Sequence, residues 1–437
     1  MSSLFNQVLP VARAIISTLA GSLIVLAAGP AYSSDSTPLT LEKAQSLALS
    51  RSRQLAAQDF SVQAWREMAV AAGQLPDPVL KMGIDNLPVT GADRYSLTDD
   101  GMTMRRVALM QELTGTNKRT ARTDLAEREA DKARAEKTMA IAAIERDTAL
   151  AWLDSHYAQK MASIIDEQVA QSRLEIAAAE NAYRAGRGNQ ADIFAAKGSL
   201  VLMQDRADEI RQRIHNAGIS LSRWVGPEAN TTLADPPLMT GIHLDAQHLQ
   251  TQLEQHPQIA VLDQQVSIAR ADANLARSNQ SADWSVELAY QQRGAPNANM
   301  ISVEVSIPLQ WDRKNRQNRE LFAKQAKFEQ ASAERDEQLR LHVAEMQAMI
   351  FEWQNNRARL DRYEAELLPL AAQRTGSVVA GYRGGKASLA DVLSARRNEL
   401  DVHLQSLQLQ SETARLWAQL EFLSPAAAGV TLNRELP

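Results

Sequence analysis

The sequence predicts a mainly α-helical protein with a small β part, written as an internal twofold repeat of long helical hairpins and short strand pairs. Three observations lead there. Residues 117–181 run 65 positions without proline or glycine and are filled with Ala, Glu, Arg, Lys and Gln, all strong helix formers. Four short segments switch from helical spacing to period-two alternation. The same order of motifs occurs in both halves of the chain.

The first segment reads as a leader rather than as part of the fold. Arg13 supplies a positive start, Ala14 to Ala28 is apolar, and Ala31-Tyr32-Ser33 offers small residues before a cut. A spanning helix needs about 20 apolar residues, and this run is shorter and is followed by Gly29-Pro30. A cleaved signal peptide over residues 1–33 is therefore expected in preference to a retained anchor. No later run is apolar enough to cross a membrane as a helix.

The repeat is carried by matching segments. Tyr183-Arg184-Ala185-Gly186-Arg187 and Ala191-Asp192-Ile193 recur as Tyr382-Arg383-Gly384-Gly385-Lys386 and Ala390-Asp391-Val392, displaced by 199 residues. Gln54-Leu55-Ala56-Ala57 likewise pairs with Gln258-Ile259-Ala260-Val261. The expected organisation is a first repeat at 34–225, a Pro-, Gly- and Thr-rich linker at 226–243, a second repeat at 244–424 and a tail at 425–437.

Within each repeat the order is the same. A helix comes first, at 41–75 and again at 245–280. Two strands follow, near 78–88 and 102–113, then near 283–292 and 300–310. A long helix, a tight turn (183–192 and 382–391) and a second long helix complete the unit. The 65-residue stretch would span about 98 Å as a helix. Its apolar residues recur at heptad-like intervals, as in Leu153, Tyr157, Met161 and Ile164, so coiled-coil packing is expected to bury them. The second copy, near 316–379, contains Pro369, which should kink it.

The strands alternate. Ile301, Val303, Val305, Ile307 and Leu309 oppose Ser302, Glu304 and Ser306, while Trp284, Val286, Leu288 and Tyr290 oppose Ser285, Glu287 and Gln291. Leu80, Met82 and Ile84 oppose Lys81, Gly83 and Asp85; the segment at 102–113 is less regular. Alternation alone fits either a half-buried sheet over helices or membrane-spanning strands of about 9–11 residues. Polar, turn-rich connections at 89–101 and 292–299 favour the membrane reading, as do Trp284, Tyr290 and Trp311 near strand ends, where interfacial aromatic belts sit. A spanning sheet must close, and four strands are too few for a barrel, so other copies of the chain must complete it.

Composition narrows the function classes. The chain has no cysteine, which removes disulfides, thiolate metal sites, a cysteine nucleophile and an N-terminal lipid anchor. Lys and Arg total 47 against 52 acidic residues, a net charge of −5, so there is no basic footprint for nucleic acid. Gly186 to Ala191 matches a G-x-G-x-x-A dinucleotide fingerprint but follows a helix instead of a strand, and the second copy lacks the second glycine. The seven histidines are scattered, with His243 and His248 five apart in a linker. Met346 and Met349 share a helix face, the ordinary pattern of core filling. No nucleophile–base set is visible, so no enzyme, cofactor or metal site is expected. Glu287 and Glu304 fall on polar strand faces, where they either line a lumen or are simply solvated.

Taken together, the leader, the duplicated strand-strand-hairpin unit and the Tyr-x-x-Gly-(x5)-Asp turns resemble the TolC-type outer-membrane efflux channels. Asp77 to Pro88, Met102 to Glu112 and Ile307 to Arg316 resemble the heavy-metal branch of that family, the cobalt–zinc–cadmium resistance outer-membrane proteins. The resemblance implies a homotrimer with a twelve-stranded transmembrane β-barrel in outer-membrane lipid, continued by a helical α-barrel across the periplasm. It also implies two partners, a periplasmic adaptor (membrane fusion) protein and an inner-membrane RND pump, with heavy-metal cations as cargo. Drug or other small-molecule efflux is the alternative in the same class, and an exported coiled-coil structural protein without a pore is the alternative in another. By the same resemblance, Tyr183, Arg184, Gly186 and Asp192, with Tyr382, Arg383, Gly385 and Asp391, form hairpin tips that meet the adaptor and narrow to a gate. The family's gating arginine corresponds to Ala387, leaving Arg383, Lys386 or Arg187 as substitutes.

Overall fold

Several helix starts in this chain are set by polar caps, and the computed structural model shows where sequence periodicity hid them. It describes residues 37–186, 189–245, 248–294 and 297–425. The leader expected at 1–33 and the tail beyond residue 425 lie outside the described residues. Thr40 caps α1 (Leu41–Arg51) by accepting the Lys43 N–H. The single helix expected over 41–75 then breaks at Ser52, whose extended backbone and hydroxyl, accepting the Leu55 N–H, start α2 (Arg53–Ala72). The helix expected over 245–280 breaks in the same way. A short α5 (Leu249–Glu254) ends, and His256 caps α6 (Pro257–Ser278), with Pro257 at the first helical position.

The long helices follow from uninterrupted helix formers. In the first half, α3 (Thr116–Arg184) runs 69 residues and returns through α4 (Gln190–Val225). In the second, α7 (Gln317–Arg362) gives way to a five-residue π turn at Tyr363–Leu367 before α8 (Leu368–Arg383) and α9 (Leu389–Glu421). Pro369 lies just beyond that turn. Proline has no N–H and its ring opposes the carbonyl four residues back, here Ala365. A wider turn relieves both problems without ending the rod.

The heptad residues Leu153, Tyr157 and Met161 are buried in the main core, against Leu221, Leu339, Trp353 and Trp417. The segment expected to be a plain linker, 226–243, packs against this core through half-buried Leu233, Ala234, Met239 and Ile242. After a 3-10 turn at Gly226–Asn230 it forms a parallel bridge with the chain start: Leu39 N–H donates to the Thr232 carbonyl (2.8 Å) and Ala234 N–H to the Leu39 carbonyl (3.1 Å). Two indole N–H groups reach into it. Trp152 Nε1 donates to the Leu39 carbonyl (3.0 Å) and Trp417 Nε1 to the Gly241 carbonyl (3.1 Å). A buried indole N–H usually finds such a partner, and the linker supplies the one for Trp417.

The four strands form one antiparallel sheet in the order β1-β2-β3-β4: β1 (Val79–Asp85), β2 (Met104–Leu113), β3 (Trp284–Arg293) and β4 (Met300–Ser306). β4 is shorter than expected. It stops before Pro308, which has no N–H for the ladder, and leaves Ile307 and Leu309 outside the sheet. Leaving β1, the chain turns at Asn86, whose φ is +56°.

Candidate functional site

Chemistry-bearing residues concentrate in two places, the sheet and the hairpin tips. Register assigns the sheet two faces. Leu80, Met82, Val107, Leu109, Leu288, Tyr290, Ile301, Val303 and Val305 share one face, and all of them are exposed in the chain. Such a contiguous bare apolar surface signals a lipid or protein contact. Among the described residues, both outer strands, β1 and β4, also lack a neighbour on their outer side.

The opposite face carries the charges. Glu287 and Glu304 stand directly across from one another in the β3–β4 register. Like charges so placed repel, and the structure resolves the conflict at Glu287. Its carboxylate accepts from Lys81 Nζ (2.8 Å) and is ion-paired with Arg106, while Arg106 also approaches Asp85 (3.9 Å). Glu287 is therefore buried and neutralised, whereas Glu304 is exposed and takes only a Ser306 hydroxyl (3.3 Å). The register row between the partners explains how Lys81 and Arg106 reach Glu287. Ala108 pairs with Ala289, and Ala289 with Ser302, so only small side chains intervene.

Where the sheet meets the helices, Lys118 at the start of α3 bonds Asp283 just before β3 (2.6 Å) and the Ser281 carbonyl (3.3 Å). Asp283 also accepts the Gly115 N–H (3.2 Å). Burial raises the Asp283 pKa, but the Lys118 and Gly115 hydrogen bonds and the charges of Lys118 and Arg122 outweigh it, leaving the carboxyl below its usual range. This clasp ties the first repeat to the second beside an open cleft of about 950 Å³.

At the far end, both hairpins turn on a glycine with left-handed backbone: Gly186 at φ +71° and Gly385 at φ +68°. The Gly186 N–H donates to the Tyr183 carbonyl (2.9 Å) and the Gly385 N–H to the Tyr382 carbonyl (3.0 Å). An added Cβ would meet nothing within 4 Å at either site, so backbone conformation alone demands glycine. Arg184 and Arg383 sit in the last turns of α3 and α8, and Asp192 and Asp391 in the first turns of α4 and α9, each of the sign its helix terminus favours. Asp391 is committed to its own helix. With Ser388 it forms a reciprocal capping box, Ser388 N–H to Oδ2 at 2.9 Å and Asp391 N–H to Ser388 Oγ at 3.2 Å. These bonds hold its carboxyl below the usual range. Ala387 donates its N–H to the Gly381 carbonyl (3.3 Å), Arg383 and Lys386 are exposed, and Arg187 lies outside the described residues.

The tips are packed together. Ile176, Ala179, Ile193, Ala196, Leu389, Val392 and Leu393 form one cluster, with Tyr382 partly buried against it, while Tyr183 stays exposed. Above it, Arg396 of α9 bonds Glu175 of α3 (3.2 Å) and Arg206 of α4 bonds Asp401 of α9 (2.6 Å). These cross-links join residues 221 and 195 positions apart, so no local pattern announces them. Among the described residues no cluster of three or more His, Cys, Asp or Glu side chains is placed to hold a metal ion, and no helix is long and apolar enough to cross a membrane. His243 pairs with Glu421 and His248 with Asp245, while Met346 is core.

A four-stranded sheet with a bare apolar face, tied to paired helical hairpins, defines the class: the TolC-type outer-membrane channel fold. The chain belongs to the outer membrane efflux protein family, which it matches over residues 44–227 and again over 248–424. It is an efflux protein of the outer membrane and not an enzyme. It is 26% identical to the cobalt-zinc-cadmium resistance protein CzcC of Cupriavidus metallidurans over 399 residues, covering 86% of this chain and 87% of that one. Among solved structures, the outer membrane protein VceC of Vibrio cholerae superposes with a TM-score of 0.72 at 19% identity, covering 88% of this chain and 95% of the other. The channel CmeC of Campylobacter jejuni superposes at 0.74 with 12% identity, covering 90% and 89%, and CusC at 0.71 with 14% identity, covering 88% and 92%.

Proposed function

We propose that this chain is the outer-membrane exit duct of a tripartite efflux system, working as a homotrimer and exporting heavy-metal cations. The observation that carries the reading is the sheet, whose two open edges and largely exposed apolar face call for further copies of the chain to complete it. In lipid every backbone donor and acceptor must be paired. Head-to-tail pairing of β4 with the β1 of another copy closes the sheet, and three copies give twelve strands. The helix rows behave alike. α3 packs on α4 and α9, and α9 on α7 and α8, leaving Phe194 and Val201 of α4 and Phe351 of α7 exposed for a neighbour. The helices then extend the duct through the periplasm, and the tips, Tyr183 to Asp192 and Tyr382 to Asp391, are the surface for a periplasmic adaptor. An inner-membrane RND pump supplies the energy. Similarity to a cobalt-zinc-cadmium resistance protein over most of both chains supports metal cations as cargo.

The assembly is tested by detergent extraction, native mass measurement and planar-bilayer recording. A trimer that conducts supports the reading, and a detergent-free soluble rod without conductance overturns it. Cargo is tested by deleting the gene and measuring tolerance of zinc, cobalt, cadmium, copper, silver and dyes. Sensitivity confined to dyes would replace the metal reading with small-molecule efflux.

A further inference from the structure

On the polar face of the sheet the charges are sorted by position. Lys81, Arg106, Glu287 and Asp85 form one knot of two cations and two carboxylates, which is neutral as a unit. Glu304 on β4 stands level with the helix-proximal edge of the knot, directly across from Glu287, and Glu112 on β2 lies one same-face row nearer the helices; their carboxylates accept hydroxyl hydrogen bonds from Ser306 and Thr114 respectively (both 3.3 Å). At the opposite, loop-side end Arg293 stands alone, its guanidinium donating to the Gly101 carbonyl (2.9 Å).

We infer that Glu304, with Glu112 one same-face row nearer the helices, forms the charge-selective segment of the duct: acids in the helix-proximal part of the barrel that favour cations and repel anions. This rests on the trimeric-channel reading, because only a closed barrel turns the polar face into a lumen. Register puts Glu304 on the face opposite the apolar surface, so lipid contact by Val303 and Val305 turns Glu304 inward. Threefold repetition makes each acid a ring, the device by which charged side chains select ions in pores. Glu287 does not add to it, although the sequence places it beside Glu304. The small row Ala108–Ala289–Ser302 lets Lys81 and Arg106 reach it and cancel its charge. Selectivity therefore depends on which acids have partners, and Lys81 controls how much of the Glu287 charge is expressed.

The experiment is a zero-current potential measurement on the purified full-length trimer in a planar bilayer under a potassium chloride gradient. Wild type should show a cation-preferring potential. The double change Glu304→Gln and Glu112→Gln should shift it toward zero. Lys81→Met, which frees part of the Glu287 charge, should shift it the other way. Opposite shifts at unchanged conductance support the inference, because loss of folding would lower conductance instead of reversing sign. Conducting channels with the same potential in all three proteins overturn it while leaving the duct reading intact. No conductance from wild type overturns both.

Discussion

The two hairpins are written in nearly the same motifs and are built differently. The first rises on one unbroken 69-residue helix, whereas the second reaches the same tip through a 46-residue helix, a π turn and a 16-residue helix. The tips differ in the same sense. The first closes with Asn189 accepting one N–H, from Ala191 (3.0 Å), and the second with a reciprocal box between Ser388 and Asp391. Duplication has kept the geometry while letting the local devices that produce it diverge. Sequence similarity between the halves therefore predicts where elements lie better than it predicts what holds them.

The largest test exchanges the proline between hairpins. Ala170 stands 199 residues before Pro369, the same displacement as the tip tyrosines, and it is exposed in the middle of α3. Ala170→Pro should cost about 3 kcal/mol or more, all of it from the backbone, since the side chain touches little. Pro369→Ala should be tolerated, because the π turn can revert to ordinary helix. Thermal unfolding followed by circular dichroism checks both. Equal losses from the two changes would mean that the turn is set by packing instead of by proline.

Next comes the paired helix cap. His256 occupies in the second half the position Ser52 holds in the first, four residues before Ala260 as Ser52 is before Ala56. His256 is buried, its ring 4.4 Å from that of His342, and its Nδ1 accepts the Gln258 N–H (3.2 Å). Burial, then the charge of His342, lowers its pKa from 6.5 to about 4, with Arg146 adding to the effect and the Leu423 carbonyl opposing it. His342 is also lowered, chiefly by burial, against the pull of Glu345. A depressed histidine contributes stability that is present above 6.5 and is lost as the pH falls toward 4, because the unfolded chain takes up the proton first. The loss from His256 amounts to about 3 kcal/mol by that end. His256→Ser copies the first-half cap and should flatten the acid limb of the unfolding midpoint; an unchanged limb would assign it to other groups.

What the sequence disclosed follows from the range of each determinant. The long helices were readable from the absence of proline and glycine over 117–181, and the strands from alternation such as Ile301–Val305, because both are local patterns. The break at Ser52 was hidden, since one polar residue inside an otherwise helical run is ordinary until its backbone is seen to be extended, whereas the break at His256 had a local signal in Pro257 at the first helical position. The packing of 226–243 against the core was hidden as well. Proline and glycine there mark turns, while the segment also bridges to Leu39 and offers the Gly241 carbonyl to Trp417. At the site, the tip glycines and acids were legible from the repeat. The unequal fates of Glu287 and Glu304 were not, for they depend on Lys81, 206 positions away from Glu287, and on small residues lying between partners in the folded register.

A smaller effect is expected at the turn glycines. Gly186→Val and Gly385→Val should each cost about 1–2 kcal/mol, the penalty of a left-handed conformation for a residue with a Cβ. Since no atom stands within 4 Å of either added Cβ, the two costs should be alike. The consequence should fall on capture of the adaptor, measured by co-purification, rather than on insertion of the sheet. Wild-type levels of complex with both variants would remove the tips from the adaptor contact.

The finest distinction lies in the caps themselves. Ser388→Ala deletes the acceptor of the Asp391 N–H (3.2 Å) and a donor to its carboxylate (2.7 Å), a loss of about 1 kcal/mol at the start of α9. Asn189→Ala deletes a single acceptor at the start of α4, and its effect should be smaller. Global unfolding averages such differences away, so the measurement is amide hydrogen exchange in the first turns of α9 and α4. The box also carries a pH signature that the first tip lacks. Because hydrogen bonds from Ser388 hold the Asp391 carboxyl below its usual range, the stability it gives is present above the ordinary carboxylate pKa and is lost as the pH falls through the lowered value. Protection in α9 should therefore decline in acid in the wild type and already be reduced, with little further decline, in Ser388→Ala. Protection that falls equally in α4 and α9 would show that the two tips, for all their different caps, open as one unit.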